Sequence, residues 1–309
     1  EWPLKAPLIL EIKGNSLDDG PGIRSVVFFK GCPLACRWCH NPEGKKPGLE
    51  IAFDAAECIG CNTCLETCPD AALSRDNPFY IDRSKCSLCF ACVDTCPSGA
   101  LSRVGQPMTI DSILQATLKD RSFFNNSGGG VTLAGGEPTM FGNFTSGLLQ
   151  AFKKAGVHTL METCGLFDLS AFDEMLYPFI DMIYYDIKLI DAKEHARYCG
   201  VPNEHILANF RHLQKKFLDG FVEIIPRTPL IPGITDTEQN LAGIANFLGQ
   251  CQVSTIQLLA YHPLWQMKNQ KIGRQDSLGN NQDMQRFMSA EKLDACRDLF
   301  EAEGIRVQP

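Results

Sequence analysis

The sequence predicts an α/β fold, a partial (β/α)6 barrel interrupted near its start by a separate cysteine-rich insert. Three observations carry that expectation. Short apolar runs rich in β-branched and aromatic residues alternate with stretches of helical period. Eleven of the 15 cysteines crowd between Cys32 and Cys96. Within that stretch, residues 58–73 and 86–101 repeat one pattern, C-x2-C-x2-C-x3-C-P-x3-L.

Taken in order, a first strand is expected over 25–30, ending just before Cys32. The insert follows over 50–102, dividing the barrel domain into 1–49 and 103–309. A helix over 110–120 carries Asp111 early, near the positive end of its dipole. Strand 131–134 pairs with helix 143–154, strand 157–162 with helix 169–176, and strand 182–187 with helix 204–217. Strand 221–227 with helix 237–248 and strand 255–261 with helix 291–303 complete six units, and a terminal strand covers 305–308. Six βα units in series favour an incomplete barrel over a flat doubly wound sheet. Barrel chemistry sits at the C-terminal ends of strands, so Cys32, Gly135, Glu162, Asp186, Arg227 and His262 are expected around one mouth.

Composition narrows the function classes. With 309 residues, 44% hydrophobic, 21% charged and a net charge of -7, the chain is expected to be a soluble, core-forming protein. No window reaches 18 apolar residues and no basic leader precedes an apolar stretch. A membrane span and a secretory signal are therefore not expected, and the cytoplasm is the expected compartment. The acidic balance argues against nucleic acid, whose phosphates need a basic surface. Acidity is concentrated in the insert, which has a net charge of -5 against -2 for the rest.

The spacing C-x2-C-x2-C-x3-C-P, written twice, is the two-cluster ferredoxin run, in which the fourth cysteine of each run ligates the other cluster. Cys58, Cys61, Cys64 and Cys96 are expected to hold one 4Fe-4S cluster, and Cys86, Cys89, Cys92 and Cys68 the other. Paired structural zinc sites are the alternative, but zinc ligands usually come as two separated pairs. Cys32, Cys36 and Cys39 form C-x3-C-x2-C with no fourth unclaimed cysteine nearby, which leaves one iron of a third cluster open to a substrate. A three-thiolate zinc site completed by His40 is the alternative there.

Gly20-Pro21-Gly22-Ile23-Arg24, Phe28, Gly31-Cys32 and Cys36-Arg37-Trp38-Cys39-His40-Asn41 together resemble the glycyl-radical-enzyme activating enzymes. This family of the radical S-adenosylmethionine (SAM) superfamily is typified by pyruvate formate-lyase activating enzyme. Ser127-Gly128-Gly129-Gly130-Val131-Thr132, Gly135-Gly136-Glu137, Tyr185-Asp186-Ile187-Lys188, Pro232-Gly233 and Tyr261-His262 fall in the family's order. The insert resembles the subgroup with ferredoxin-like clusters, found among activators of glycerol dehydratase, arylacetate decarboxylases, choline lyase and benzylsuccinate-type synthases.

The resemblance implies roles. SAM would chelate the open iron through its amino and carboxylate groups, and Gly135 and Gly136, with Glu137 in support, would meet the methionine amino group. Glu162 and Thr163 stand where the family has Asp-Thr, a pair that helps bind a monovalent cation beside the SAM carboxylate. The extra methylene of Glu162 departs from that pattern, and a hydrogen-bonded structural glutamate is the other reading. Asp186 would bind SAM hydroxyls or order Lys188 near the methionine carboxylate. Arg227 would clamp an anion, and His262 would reach the ribose or adenine side. Trp38 would stack on adenine or cover the cluster. Asp19 lies in the segment resembling the family's contact with the target glycine loop, although Asp18-Asp19-Gly20-Pro21 is also a good turn sequence. Cys164, Cys199, Cys251 and Cys296 have no partner spacing and are read as buried thiols or bystanders.

The implied reaction is reductive cleavage of SAM to methionine and a 5'-deoxyadenosyl radical, which takes a hydrogen atom from a backbone glycine of a partner glycyl-radical enzyme. An electron donor of flavodoxin or ferredoxin type and a monomeric chain belong to the same reading. Two alternatives stand beside it: a radical SAM enzyme acting on a small molecule, and an iron-sulfur electron carrier.

Overall fold

The computed structural model describes residues 6–220, 222–275, 278 and 281–308. Phe221, the expected start of the fifth strand, lies outside the described residues, as do positions 276, 277, 279 and 280. The strands are β1 (Leu8–Ser16), β2 (Arg24–Lys30), β3 (Glu50–Phe53), β4 (Leu101–Val104), β5 (Gln106–Pro107), β6 (Gly130–Gly135), β7 (His158–Thr163), β8 (Met182–Asp186), β9 (Glu223–Pro229), β10 (Thr255–Leu259) and β11 (Arg306–Gln308). The helices are α1 (Thr63–Thr67), α2 (Ala91–Asp94), α3 (Ile110–Thr117), α4 (Arg121–Ser127), α5 (Gly142–Lys154), α6 (Leu169–Met175), α7 (Ala192–Cys199), α8 (Glu204–Leu218), α9 (Glu238–Gln250), α10 (Trp265–Lys271) and α11 (Ala290–Ala302).

Nine strands form one sheet in the order β11-β10-β9-β8-β7-β6-β2-β1-β5. From β2 to β11 every neighbouring pair is parallel, while β1 runs antiparallel to both β2 and β5. The two outermost strands, β5 and β11, are not paired with each other, so this is a partial barrel with an open side. Alternation along the strands separates its faces. Met161, Ile183 and Ile224 point outward into the main core with Phe152, Phe172 and Phe210 from the helices. Leu160, Tyr184 and Ile225, one residue out of phase, pack together on the inner face.

The sequence-expected strands and helices all form, with ends displaced by a few residues. The helix expected over 110–120 stops at Thr117, whose hydroxyl donates back to the Ile113 carbonyl at 3.0 Å, and a 3-10 turn leads into α4. Elements missing from the sequence reading are β1, the short strands β3, β4 and β5, the single-turn helices α1 and α2, and helices α4, α7 and α10. The α7 helix carries legible punctuation. Asp191 accepts hydrogen bonds from the Lys193 and Glu194 amides, both at 2.9 Å, and Gly200 closes the helix at φ +90°.

The insert reproduces its sequence repeat in backbone. Both α1 and α2 start from a left-handed residue, Asn62 (φ 65°) and Phe90 (φ 62°), 28 positions apart. Strands β3 and β4 pair antiparallel from Glu50↔Val104 to Phe53↔Leu101 and close the base of the insert as a separate two-stranded sheet. Ion pairs join that base to the barrel. Glu50 pairs with buried Lys30 at 2.7 Å and with Arg274 at 3.4 Å, and Lys271 reaches Asp54 at 2.5 Å.

Candidate active site

A cavity of about 1190 Å³ opens at the C-terminal ends of the parallel strands. It is lined by Cys32, Cys36, Trp38, Cys39, Gly135, Gly136, Glu137, Glu162, Thr163, Asp186, Lys188, Arg227 and His262, with Asp19 at its edge. The barrel thus gathers residues that lie as far as 243 positions apart in the chain.

Cys32 leaves β2 through Gly31, which adopts φ +125°, a conformation that favours glycine. The loop that follows is tied down by backbone. The Gly31 amide donates to Gly44 O at 2.7 Å, the Ala35 amide to Cys199 O at 2.8 Å, and the Arg37 amide to Tyr198 O at 3.0 Å. The free carbonyls ending α7 therefore hold the cysteine loop. Cys199 and Cys164 are buried thiols, as expected, and both pack into the apolar group around the loop. Cys296 lies in the main core and Cys251 at the end of α9, both outside the cavity lining. Trp38 is 3% exposed and tilts against Tyr198 at 6.0 Å, so most of its surface covers the loop.

The two glycines after β6 are required by the fold itself. A Cβ on Gly136 would stand 2.2 Å from Gly31 O, and one on Gly135 would stand 2.7 Å from the Phe29 amide. Close approach to β2, more than approach to a ligand, excludes side chains there. Glu137 is 0% exposed, with both carboxylate oxygens occupied. It accepts from the Thr139 hydroxyl at 2.8 Å, the Thr163 hydroxyl at 2.9 Å and the Cys164 amide at 2.7 Å. This carboxylate ties the β6 loop to the end of β7 and fixes the backbone at Cys164.

Four charged side chains join the ends of β7, β8 and β9. Arg227 donates to Glu162 at 2.8 Å and to Asp186 at 3.3 Å, and Lys188 donates to the other Asp186 oxygen at 2.9 Å. Burial opposes ionisation of Asp186, but Lys188 and Arg227 outweigh it and hold the carboxyl below its usual range. Burial prevails at Glu162, whose carboxyl is pushed up although Arg227 pulls the other way. Glu162 is thus the acid of this network that takes up a proton more readily. Among the lining residues His40 and His262 stack with centroids 4.2 Å apart, and the buried His40 Nε2 and His262 Nδ1 have no hydrogen-bond partner among the described residues. Burial, then the neighbouring His262 and Lys268, pushes His40 down to about 3.

In the insert, a second, small cavity is lined by Cys58, Cys61, Cys64 and Cys96. Burial, then the nearby Cys86, Cys68 and Cys89 of the other crossed set and Cys64 of the first, pushes the Cys92 thiol up to about 11. Among the described residues no three His, Cys, Asp or Glu side chains converge tightly enough to hold one ion.

Sequence comparison agrees with this architecture. A profile of the Radical SAM superfamily matches residues 83–244, a 4Fe-4S single cluster domain 18–70 and a 4Fe-4S dicluster domain 57–100. The fold and site thus define a radical SAM protein with iron-sulfur clusters. The chain is 40% identical to the isethionate sulfite-lyase activating enzyme of Nitratidesulfovibrio vulgaris (88% of this chain, 89% of the relative). It is 38% identical to the benzylsuccinate synthase activating enzyme of Thauera aromatica (98% and 92%). It is also 38% identical to the trans-4-hydroxy-L-proline dehydratase activating enzyme of Clostridioides difficile (98% of both). The chain belongs to the glycyl-radical-enzyme activating enzymes of the radical SAM superfamily. It is an enzyme that uses iron-sulfur clusters and SAM to activate a glycyl-radical enzyme. Among the described residues no helix is long and apolar enough to cross a membrane.

Proposed function

We propose that the chain holds three 4Fe-4S clusters, one on Cys32, Cys36 and Cys39 at the barrel mouth and two on the crossed cysteine sets of the 50–102 insert. The observation that carries this reading is the convergence on one cavity of a three-thiol loop and a balanced charged network, with His40 and His262 also in its lining. When bound, the mouth cluster would supply the electron that cleaves SAM to methionine and the 5'-deoxyadenosyl radical, which takes a hydrogen atom from the partner's backbone glycine. The protein's own contribution is position and dryness. Lys188, aimed by Asp186, would face the methionine carboxylate, with Arg227, braced by Glu162 and Asp186, as a second cation for it. His262 and His40 supply the polar edge for the adenosine, with Trp38 sealing the loop beneath. Asp19 is pinned by Thr132, whose hydroxyl donates to its carbonyl at 2.7 Å, and presents the rim where the glycine loop enters.

The monovalent cation expected beside Glu162 is not part of this reading. Glu162 is paired with Arg227, and the Thr163 hydroxyl donates to Glu137 while accepting from the Gly165 amide at 3.1 Å. The electron would come from a flavodoxin- or ferredoxin-like donor and enter through the insert, in a monomeric chain. Eleven of the 15 cysteines in metal-thiolate spacings suit a reducing, cytoplasmic setting.

Relay through the insert separates from docking by the choice of reductant. Replacing Cys61 and Cys89 together by Ala should slow activation at least tenfold with a protein donor and far less with a strong chemical reductant. Equal losses with both, accompanied by weaker partner binding, would make the insert a docking module.

A further inference from the structure

The two halves of the insert repeat one cysteine pattern but not one set of neighbours. Cys64 and its repeat counterpart Cys92 are both buried at the start of a single-turn helix. The hydroxyl of Tyr80 lies 3.0 Å from Cys64 Sγ. Against a thiolate a phenol can only donate, because the sulfur keeps no proton. At Cys92 the described residues place no side-chain donor. The asymmetry extends through the sets. Thr63 donates its hydroxyl to Cys61 at 3.5 Å, and the Ser98 hydroxyl lies 3.8 Å from Cys96. Twenty-eight positions away, Thr63 is matched by Ala91, which has no side-chain donor, and Ser98 by Asp70, which bears a negative charge. Asp70 folds onto the loop of the second set, where it accepts from the Ser87 amide beside Cys86 at 3.1 Å. In that set the Ala72 amide donates to Cys68 at 3.3 Å, and among the described residues no side-chain hydroxyl reaches a sulfur. Nearby arginines do not explain a difference, since Arg75 lines the first set and Arg83 stands near Cys86 in the second.

Tyr80 is built to hold this position. It is 5% exposed, stacks on Phe53 with centroids 4.0 Å apart at 15°, and sits in a left-handed turn at φ 63°. Its backbone closes that turn on both sides, the Tyr80 amide donating to Asn77 O at 2.8 Å and the Ser74 amide to Tyr80 O at 2.9 Å. A phenylalanine would satisfy the stacking equally well, so packing does not account for the hydroxyl.

We propose that Tyr80 makes the two insert clusters unequal, raising the reduction potential of the one on Cys58, Cys61, Cys64 and Cys96, so that the first electron entering the insert rests there. The inference depends on the reading that the crossed cysteine sets hold two 4Fe-4S clusters. Reduction adds a negative charge spread over the cluster and its thiolates, and a hydrogen bond to a ligating sulfur stabilises that charge more than the oxidised state. A neighbouring carboxylate acts in the opposite sense on the other cluster. A relay with one favoured resting site stores its electron away from the barrel mouth until SAM and partner are in place.

The test is a redox titration of the whole, fully reconstituted chain followed by EPR. SAM is added in a parallel sample to mark the signal of the barrel-mouth cluster, the one it alters. The parent should show the two insert clusters reducing in separate one-electron steps. In Tyr80→Phe the earlier step should become about tenfold less favourable, a fall of about 59 mV, with the later step and the iron content unchanged. Both steps unmoved at full iron content, or a shift confined to the later step, would overturn the proposal. If Tyr80→Phe loses iron, Thr63→Val decides instead: a smaller fall in the earlier step supports the proposal, and no shift overturns it. Failure of the two-cluster reading is registered separately, because metal analysis of the parent would then return zinc, or iron for fewer than three clusters, before any titration.

Discussion

Replacing Cys36 by Ala should remove about a third of the iron of a fully reconstituted anaerobic sample, from about twelve to about eight atoms per chain, and abolish formation of 5'-deoxyadenosine. The size of the effect follows from the 3+4+4 arrangement of the eleven clustered cysteines. The mouth loop has three thiols, and the two others packed against it, Cys199 and Cys164, are buried and come from outside its C-x3-C-x2-C run. The insert has its own four-thiol sets and should keep its iron. Iron analysis with a chromatographic assay for 5'-deoxyadenosine checks both halves. Stoichiometric zinc with little iron would defeat the cluster reading.

The second large effect is expected at Arg227, whose side chain is 8% exposed between two carboxylates. Arg227→Ala leaves Glu162 and Asp186 facing each other with only Lys188 to balance them. Removing one partner from a buried network typically costs about 3–5 kcal/mol, so a large fall in thermal stability should accompany loss of measurable SAM binding. The two losses should separate in a double variant. Adding Glu162→Gln removes one uncompensated charge and should recover most of the stability without restoring SAM binding. The pH dependence has a definite sign. In Arg227→Ala the Glu162 carboxyl, already raised by burial, rises further. Its penalty is absent below the unfolded value of about 4.3 and grows as pH rises toward the folded value, so the variant's deficit should be larger at pH 7 than at pH 4. Calorimetric melts at the two pH values, with SAM titrations of both variants, measure these differences. Stability near that of the parent in Arg227→Ala would mean that the network contributes little.

Much of the barrel was legible because parallel strands buried on both faces leave continuous apolar runs, as in Val26 to Phe29 and Ile183 to Tyr185. The ends of those strands located the mouth, and with it the lining from Cys32 to His262. Strand β1 was not foreseen, since an antiparallel, partly exposed strand reading Leu-Ile-Leu-Glu-Ile-Lys carries a weaker signal. Helix α10 was missed because it sits in the loop over 263–288, where few apolar residues recur in period. Its value is positional: Lys268 reaches Asn41 at 2.9 Å and Glu43 at 3.1 Å, tying that loop to the cysteine loop. The partners of Cys164 and Cys199 could not be read from spacing, because the barrel brings them to the cysteine loop from strands and helices far along the chain. Glu137 was assigned a supporting role, and its fourfold acceptance of hydrogen bonds within the protein shows what it supports. The duplicated cysteine pattern, by contrast, reported directly on duplicated backbone, since each short run carries its own turn.

The most direct test of the central claim mixes the reduced, reconstituted protein with SAM and its partner glycyl-radical enzyme under anaerobic conditions and records the EPR spectrum of the partner. A persistent doublet assignable to a backbone glycine, formed together with 5'-deoxyadenosine, is the predicted result. Deoxyadenosine formed while every glycyl-radical enzyme of the same organism stays silent would contradict it and turn the search to a small-molecule substrate.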